Sequence, residues 1–336
     1  MKDRTIRIAE SALLKPTLCL PASLLMAGMA CCSIAHAQSF VGFNATFDFG
    51  TLAPADRTAF QTTINTALSF YSSTLQTPAP LVVNILFKAD ESVGLGQSET
   101  FINTVPYSGF RARLLANSRS AADTTALSFL PTGPNNPVNG SAQVTASLPL
   151  LRALGFAAAG ANGGGIDSTV SLKTSLMNLD RTGPQNPARY DLLATVQHEV
   201  NEVLGFNSQL NGLNNGDPAP TGAIGSLDLF RFNGAASRSF TTALAEVSYL
   251  SYDNGATQVT RFNQAQGGDF HDFQGGSQVQ NAFGTPGAQA DMGLGETTGL
   301  DIIGYNFAAV PEPGELALAA AAALIGFAAF RKARAA

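Results

Sequence analysis

Three side chains in one short segment have the types and the spacing of a metal-dependent hydrolase. Residues 198–205 read His-Glu-Val-Asn-Glu-Val-Leu-Gly. On a helix, His198 and Glu202 lie one turn apart on the same face, so both can reach one zinc ion. Glu199 is rotated by about 100° from His198, where a carboxylate can take a proton from a water beside the metal. The segment therefore predicts two zinc ligands and a catalytic base, and the alternative is a solvated acidic face.

A zinc site needs a third protein ligand, and few residues can supply it. The sequence has three histidines; one lies in the segment above, His36 belongs to the N-terminal end, and the last is His271. Chemistry favours His271 as the metal ligand, because the flanking Asp269 and Asp272 can ligate a metal or orient an imidazole. These two aspartates and Asp228 remain alternative ligands. His271 can also be a surface or packed loop histidine.

The predicted ligands need a rigid helix, and the sequence predicts one from Ala188 to Leu204. Gly205 follows it as the glycine that commonly ends a helix. Apolar side chains recur on the face that would pack into a core, namely Leu192, Leu193, Val196, Val203 and Leu204.

The remaining core predicts an α+β fold around that helix. Alternating or β-branched runs predict strands at 40–49, 81–87 and 169–172. Apolar residues at helical spacing predict a helix at 55–75, and a second is expected at 108–122. Beyond residue 205, short apolar pieces alternate with Gly- and Asn-rich turns. We therefore expect an α/β N-terminal lobe, a central active-site helix and an irregular C-terminal lobe.

The N-terminal end has the layout of a secretory signal peptide over residues 1–37. Four basic residues precede an apolar stretch at 18–30, and Ala35-His36-Ala37 follows, with cleavage expected after Ala37. A membrane anchor is the alternative, but the run is short and contains Pro21. A lipoprotein signal at Cys31 or Cys32 lacks a leucine at the required place. Signal peptidase is thus an expected partner.

The C-terminal end, residues 310–336, combines three features of a sorting signal. Val310-Pro311-Glu312-Pro313 precedes 17 mostly apolar residues, 314–330, and Arg331-Lys332-Ala333-Arg334 follows. The apolar residues surround the predicted helix on all sides, which favours a short transmembrane helix over a buried core helix. The arrangement resembles the PEP-CTERM tail, which implies an exosortase as partner. It also implies a bacterial cell-surface or extracellular-matrix location, with transient anchoring in the membrane.

Composition limits what residues 38–309 can do. This segment contains no cysteine, so its stability must come from packing and from any bound metal. It carries 12 basic and 20 acidic side chains, a net charge of −8. A domain this acidic has no electrostatic reason to bind nucleic acid.

The helix motif resembles that of the zincin metallopeptidases, which carry His-Glu-x-x-His. In the metzincin branch, a glycine and then a third histidine follow at intervals of three residues. Here Gly205 holds the glycine position, Glu202 replaces the second histidine and Ser208 replaces the third. The resemblance implies a first ligand at His198 and a catalytic base at Glu199. It implies a substituted ligand at Glu202 and none at Ser208.

A closer resemblance covers most of the core and is to a group of PEP-CTERM-associated zinc metalloproteases. It implies a zincin-like domain over residues 38–309. Met292, in Asp291-Met292-Gly293, invites comparison with the methionine turn beneath metzincin zinc sites. Besides the helix, the matching blocks are 227–232 (LDLFRF), 238–240 (RSF), 261–263 (RFN), 267–272 (GGDFHD) and 300–306 (LDIIGYN).

Two functions follow from these patterns. The first is an exported zinc-dependent peptidase that cleaves a protein or peptide substrate with a metal-activated water. The second is a non-catalytic cell-surface or extracellular-matrix protein on a degenerate zincin fold, which the replacement of the second histidine by Glu202 favours. A glycosidase that uses Glu199 and Glu202 as its pair is disfavoured. Carboxylates three residues apart on a helix lie side by side, not across a sugar ring.

Overall fold

The computed structural model describes residues 38–157, 165–219 and 221–308. Short 3-10 helices at Thr174–Leu176 and Leu227–Phe230 accompany the α-helices there. The α-helices are α1 (Arg57–Thr74), α2 (Tyr107–Asn117), α3 (Ala121–Ser128), α4 (Leu148–Ala153), α5 (Leu192–Leu204), α6 (Leu210–Asn214) and α7 (Leu294–Ile303).

The strands of the same residues are mostly short and form several small sheets. They are β1 (Ser39–Phe40), β2 (Gly42–Asp48), β3 (Leu75–Thr77), β4 (Val82–Ala89), β5 (Gly96–Thr100), β6 (Ile102–Pro106), β7 (Gln143–Ser147), β8 (Ser168–Leu172), β9 (Met177–Asn178), β10 (Tyr190–Asp191), β11 (Ile224–Gly225), β12 (Arg231–Gly234), β13 (Ser237–Arg238), β14 (Tyr249–Leu250), β15 (Thr260–Arg261) and β16 (Asn306–Phe307).

A four-stranded sheet in the order β2-β4-β8-β5 forms the centre of the N-terminal half. Strands β2, β4 and β8 are parallel, and β5 closes one edge antiparallel to β8. The apolar residues of β4 alternate, so Val83, Ile85 and Phe87 are buried. Helix α1 contacts both β2 and α5, and it buries Phe60 and Ile64 between them.

Helix α5 is the central helix that the sequence predicted, although it begins four residues later than expected. Residues 190–191 form a strand instead, and the Asp191 carboxylate caps the helix by accepting from the Ala194 N–H at 3.1 Å. Arg181 holds that carboxylate in a salt bridge. The helix ends at Gly205, whose φ of 122° lies in the region that favours glycine.

The other predicted elements are present with shifted ends. The expected helix at 55–75 spans 57–74, and the strands expected at 40–49, 81–87 and 169–172 lie at 42–48, 82–89 and 168–172. The single helix expected at 108–122 is wrong, because two helices occupy this region. The two helices are separate because Ser120 forms a capping box with Asp123, and this capping box starts the second helix.

The C-terminal half is irregular, as predicted, and a small sheet in the order β13-β12-β14-β15 lies within it. Arg231 fixes its interior: the guanidinium bonds the Phe270 carbonyl and the Gln264 side chain and lies 4.5 Å from the Phe262 ring centroid. The mixed α+β class is thus confirmed.

The predicted signal peptide (1–37) and sorting tail (310–336) lie outside the described residues. Within the described residues, no helix is long and apolar enough to cross a membrane.

Candidate metal centre

Helix α5 carries the first two predicted ligands on its open face. Val196, Val200 and Val203 are fully buried and fix the opposite side of the helix. The remaining face brings His198 Nε2 within 3.4 Å of Glu202 Oε1, as the one-turn spacing requires. Helix packing therefore fixes the direction in which both side chains point.

The loop after β15 supplies two more donors to the same point. His271 Nε2 lies 2.9 Å from Glu202 Oε1, and Asp272 Oδ1 lies 3.4 Å from His198 Nε2. His271 Nε2 and Asp272 Oδ1 are 3.7 Å apart. The buried Phe270 and Phe273 anchor this loop, and the Asp272 carbonyl accepts from the Asn263 N–H at 2.7 Å.

The donor set fits zinc in both chemistry and spacing. Zinc takes imidazole and carboxylate ligands in a tetrahedron with bonds of about 2.0 to 2.2 Å, which separates the ligand atoms by about 3.3 to 3.6 Å. Two of the ligand-atom separations are 3.4 Å and a third is 3.7 Å, whereas the 2.9 Å between His271 Nε2 and Glu202 Oε1 is a hydrogen-bond distance. The donor atoms of His198, Glu202 and Asp272 form one candidate metal cluster, and those of Glu202, Asp269 and His271 form another.

Neighbouring groups fix the orientation of the two imidazoles differently. His198 Nδ1 lies 3.0 Å from the Val279 carbonyl and donates to it, so Nε2 is the nitrogen that faces the site and that loses its proton when a metal binds. Asn211 Oδ1 accepts from the Phe270 N–H, which turns Asn211 Nδ2 toward His271 Nδ1 at 3.2 Å. In the neutral ring, His271 Nδ1 is therefore the acceptor and Nε2 carries the proton that points at Glu202.

Burial and mutual charge strongly shift the pKa values at this centre. Burial raises the pKa of Glu199 well above its ordinary value, and the Glu202 charge adds to the effect. Burial also raises the pKa of Asp272, to about 6. Burial lowers the pKa of His198 and of His271, but nearby carboxylates outweigh it; the pKa of His198 rises well above its ordinary value and that of His271 to about 9. Three carboxylates so close together favour a cation among them.

Glu199 lies beside the ligands and against strand β5. Its carboxylate faces Gly96, where no side chain occupies the space. Ser98 of the same strand donates to Glu202 Oε2 at 2.6 Å. The edge strand thus contacts both the predicted base and a predicted ligand.

These residues line a cleft of about 690 Å³. Among its described lining residues, none is lysine or arginine. Small and neutral polar side chains form most of the remaining wall, such as Gly96, Gln97, Ala194, Asn211, Asn214, Asn215, Ser277 and Gln278. The cleft therefore has the size of a ligand site and a negative charge.

The remaining predicted residues lie at different distances from the centre. Asp269 is exposed and belongs to the second candidate metal cluster. Asp228 accepts from Ser208 Oγ at 2.5 Å and from two backbone N–H groups, so it holds a turn and belongs to neither cluster. Met292 Sδ lies 3.6 Å from both Tyr71 Oη and Asn201 Nδ2, behind the ligand-bearing face of α5.

Several residues at the centre were not predicted. Asn211 reaches it from α6, Val279 and Gln280 reach it from a loop distant in sequence, and Gly96 and Ser98 reach it from an edge strand. Only their positions in the folded chain reveal them, because polar and glycine residues are common throughout this sequence.

The chain has no significant match among family models, curated proteins or solved structures.

Proposed function

We propose that this chain is an exported zinc-dependent peptidase with a zincin-like domain. The observation that carries the proposal is the convergence of His198, Glu202 and Asp272, from a helix and a distant loop, in the lining of a large cleft, with His271 bonded to Glu202 beside them. The helix with the His-Glu-x-x-Glu motif lies against an antiparallel edge strand, and the irregular C-terminal half completes the donor set.

His198, Glu202 and Asp272 are the ligands that the hydrogen bonds favour. His198 directs its Nε2 at the site, and Asp272 Oδ1 lies at tetrahedral spacing from it. His271, the ligand expected from sequence, instead directs an N–H at Glu202 while Asn211 faces its other nitrogen. Three protein ligands leave the fourth position open, as catalytic zinc sites do.

Zinc held by these residues supplies Lewis-acid chemistry, polarising a peptide carbonyl and acidifying a neighbouring water. Glu199 takes the proton from that water and passes it to the leaving amine. Burial raises the pKa of Glu199 and so makes its carboxylate, once ionised, a stronger base. His271 holds Glu202 in place through its N–H.

Strand β5 is the natural support for an extended substrate. Among the described residues it pairs with β8 alone, so its other edge offers backbone donors and acceptors. Leu95, Gly96, Gln97 and Ser98 all line the cleft. A peptide added along this edge places a carbonyl beside Glu199. Neutral and basic side chains suit the acidic walls better than acidic ones.

The proposed setting is outside the cell. A signal peptide over residues 1–37 directs export, and the tail over residues 310–336 directs processing by an exosortase at the membrane. A disulfide-free domain in that compartment gains from a metal that cross-links α5 and the loop carrying Asp272.

One observation favours a second candidate function. A fourth donor lies beside the three proposed ligands, with His271 Nε2 3.7 Å from Asp272 Oδ1, and shells closed by four protein ligands are typical of structural zinc sites. If His271 turned its Nε2 lone pair to the metal, the chain would be a non-catalytic, zinc-stabilised surface protein.

Two variants separate these functions. The purified protein, His271→Ala and Asp272→Ala are loaded with zinc, and their metal content is measured by plasma mass spectrometry. Cleavage of a mixed-sequence peptide library is followed by mass spectrometry, with Glu199→Ala as the inactive control. If the chain is a peptidase, we expect His271→Ala to retain zinc and Asp272→Ala to lose it. Wild type should cleave the library, and Glu199→Ala should not. Zinc lost in His271→Ala together with no cleavage by wild type would establish the structural site instead.

A further inference from the structure

A two-residue segment, Val279–Gln280, contacts both the helix and the loop that carry the proposed ligands. The Val279 carbonyl accepts from His198 Nδ1 at 3.0 Å. Gln280 Nε2 donates to Asp272 Oδ1 at 2.9 Å. We propose that Gln280 is a positioning residue that orients Asp272 for metal binding. This inference rests on the proposed zinc site and concerns how the chain prepares it.

The hydrogen bond from Gln280 reaches the oxygen that faces the site. Asp272 Oδ1 is also the atom that lies 3.4 Å from His198 Nε2. A carboxylate oxygen has two lone pairs, so one bonds Gln280 and the other remains for the metal. The hydrogen bond therefore fixes the carboxylate plane without occupying the position that the metal needs. Partners of this kind commonly orient ligands in metal sites.

A buried chain of hydrogen bonds sets the direction of the Gln280 amide. Because the Asp272 carboxylate can only accept from Gln280 Nε2, Gln280 Oε1 faces Asn201 Nδ2 and accepts from it at 3.0 Å, which leaves Asn201 Oδ1 as an acceptor. The Tyr71 hydroxyl lies 2.9 Å from both Asn201 Oδ1 and the Gln197 carbonyl and has one proton for the two. If the Gln280 amide were reversed, its Oε1 would face Asp272 Oδ1 and its Nε2 would face Asn201 Nδ2. An acceptor would then lie against an acceptor, and a donor against a donor. The residues Tyr71, Asn201 and Gln280 are all fully buried, so water cannot compensate.

The backbone of Gln280 is held as firmly as its side chain. Its N–H donates to the buried Glu296 carboxylate at 2.9 Å, and its carbonyl accepts from the Phe273 N–H at 2.7 Å. Glu296 also accepts from the Gly293 N–H at the start of α7. Gln280 thus joins α5, α7 and the loop that carries Asp272. Asn201 belongs to the motif on α5 but faces inward and is not a proposed ligand.

The test compares zinc affinity with folding in two variants of Gln280. Gln280→Met keeps the length and removes the donor, and Gln280→Glu keeps the shape and replaces the donor with an acceptor. Zinc dissociation constants are measured by competition with a chromophoric chelator, and the visible spectrum of the cobalt-loaded protein reports ligand geometry. We expect Gln280→Met to bind zinc about 10 to 100 times more weakly, and both variants to have an altered cobalt spectrum.

Gln264→Met is the matched control, because it also removes a buried glutamine. Gln264 bonds Arg231 and the Thr241 carbonyl and does not line the cleft. It should lower the unfolding midpoint but leave zinc affinity and the cobalt spectrum unchanged. Wild-type affinity and spectrum in either folded Gln280 variant would overturn the inference. Absence of zinc binding by wild type would instead refute the proposed function.

Discussion

A single methyl group at Gly96 should separate the predicted base from the predicted ligands. A Cβ at this position would lie 2.9 Å from Thr195 Cγ2, 3.0 Å from Glu199 Cδ and closer still to Glu199 Oε1. Ordinary contact begins at 3.4 Å. In Gly96→Ala the Glu199 carboxylate must therefore retreat by about 1 Å, the least costly of the available adjustments because it is the free end of a side chain.

The cost to catalysis follows from that displacement. A misplacement of about 1 Å at a reacting group can lower the rate about 100-fold. Zinc content should not change, since the three atoms nearest the added methyl group belong to Thr195 and Glu199 and not to a proposed ligand. Stability should change little because no backbone atom blocks the methyl group. We therefore expect kcat to fall about 100-fold at unaltered metal content.

The assay is cleavage of the best peptide from the library, measured with Gly96→Ala and Gly94→Ala. Gly94 is the matched control, because a Cβ there meets nothing within 4 Å. Gly94→Ala should retain wild-type kcat. Full activity in Gly96→Ala would refute the role of Glu199 as base, and loss of zinc in this variant would refute the separation of base from ligands.

Three further predictions concern stability. Burial and the Asp123 charge raise the pKa of Asp301 to about 6, so its stabilising contribution is complete below about pH 4 and is lost as pH rises through 6. Asp301→Asn should thus raise the free energy of unfolding by about 1 to 2 kcal/mol at pH 8, after allowance for partial exposure. Near pH 4 it should have no effect. Urea titrations at the two pH values measure this, and equal effects at both would contradict it. Asp167→Ala leaves Arg152 without its two bonds of 2.7 Å and should cost about 3 to 5 kcal/mol; a urea midpoint near wild type would contradict it. A chelator should lower the thermal midpoint of wild type, because zinc at 100-fold above its dissociation constant stabilises the folded chain by about 2.7 kcal/mol. It should not lower the midpoint of His198→Ala; equal shifts in both would argue against a site at His198.

The sequence predicted the central helix well because its signals are local. The apolar period and Gly205 mark the helix end, and the backbone there does adopt the positive φ that glycine permits. The start was misplaced because it depends on Asp191, whose carboxylate caps the helix while bonded to Arg181. That contact joins residues ten apart and leaves no periodic pattern.

The candidate site could be predicted only in part for the same reason. His198, Glu199 and Glu202 follow from spacing on one helix. Asp272 and its partner Gln280 come from loops far along the chain, where no spacing rule relates them to the helix. Rarity of histidine directed attention to the loop that carries His271, whose role as a ligand stays a prediction. Which donor would face a metal depends on amide orientations that only the fold determines.

A metal site at His198 is tested by comparing the zinc content of the purified protein with that of His198→Ala. Both are dialysed against zinc, freed of excess metal and analysed by plasma mass spectrometry. We expect close to one zinc per wild-type chain and almost none in the folded variant. No zinc in wild type, or equal zinc in both, would contradict this expectation.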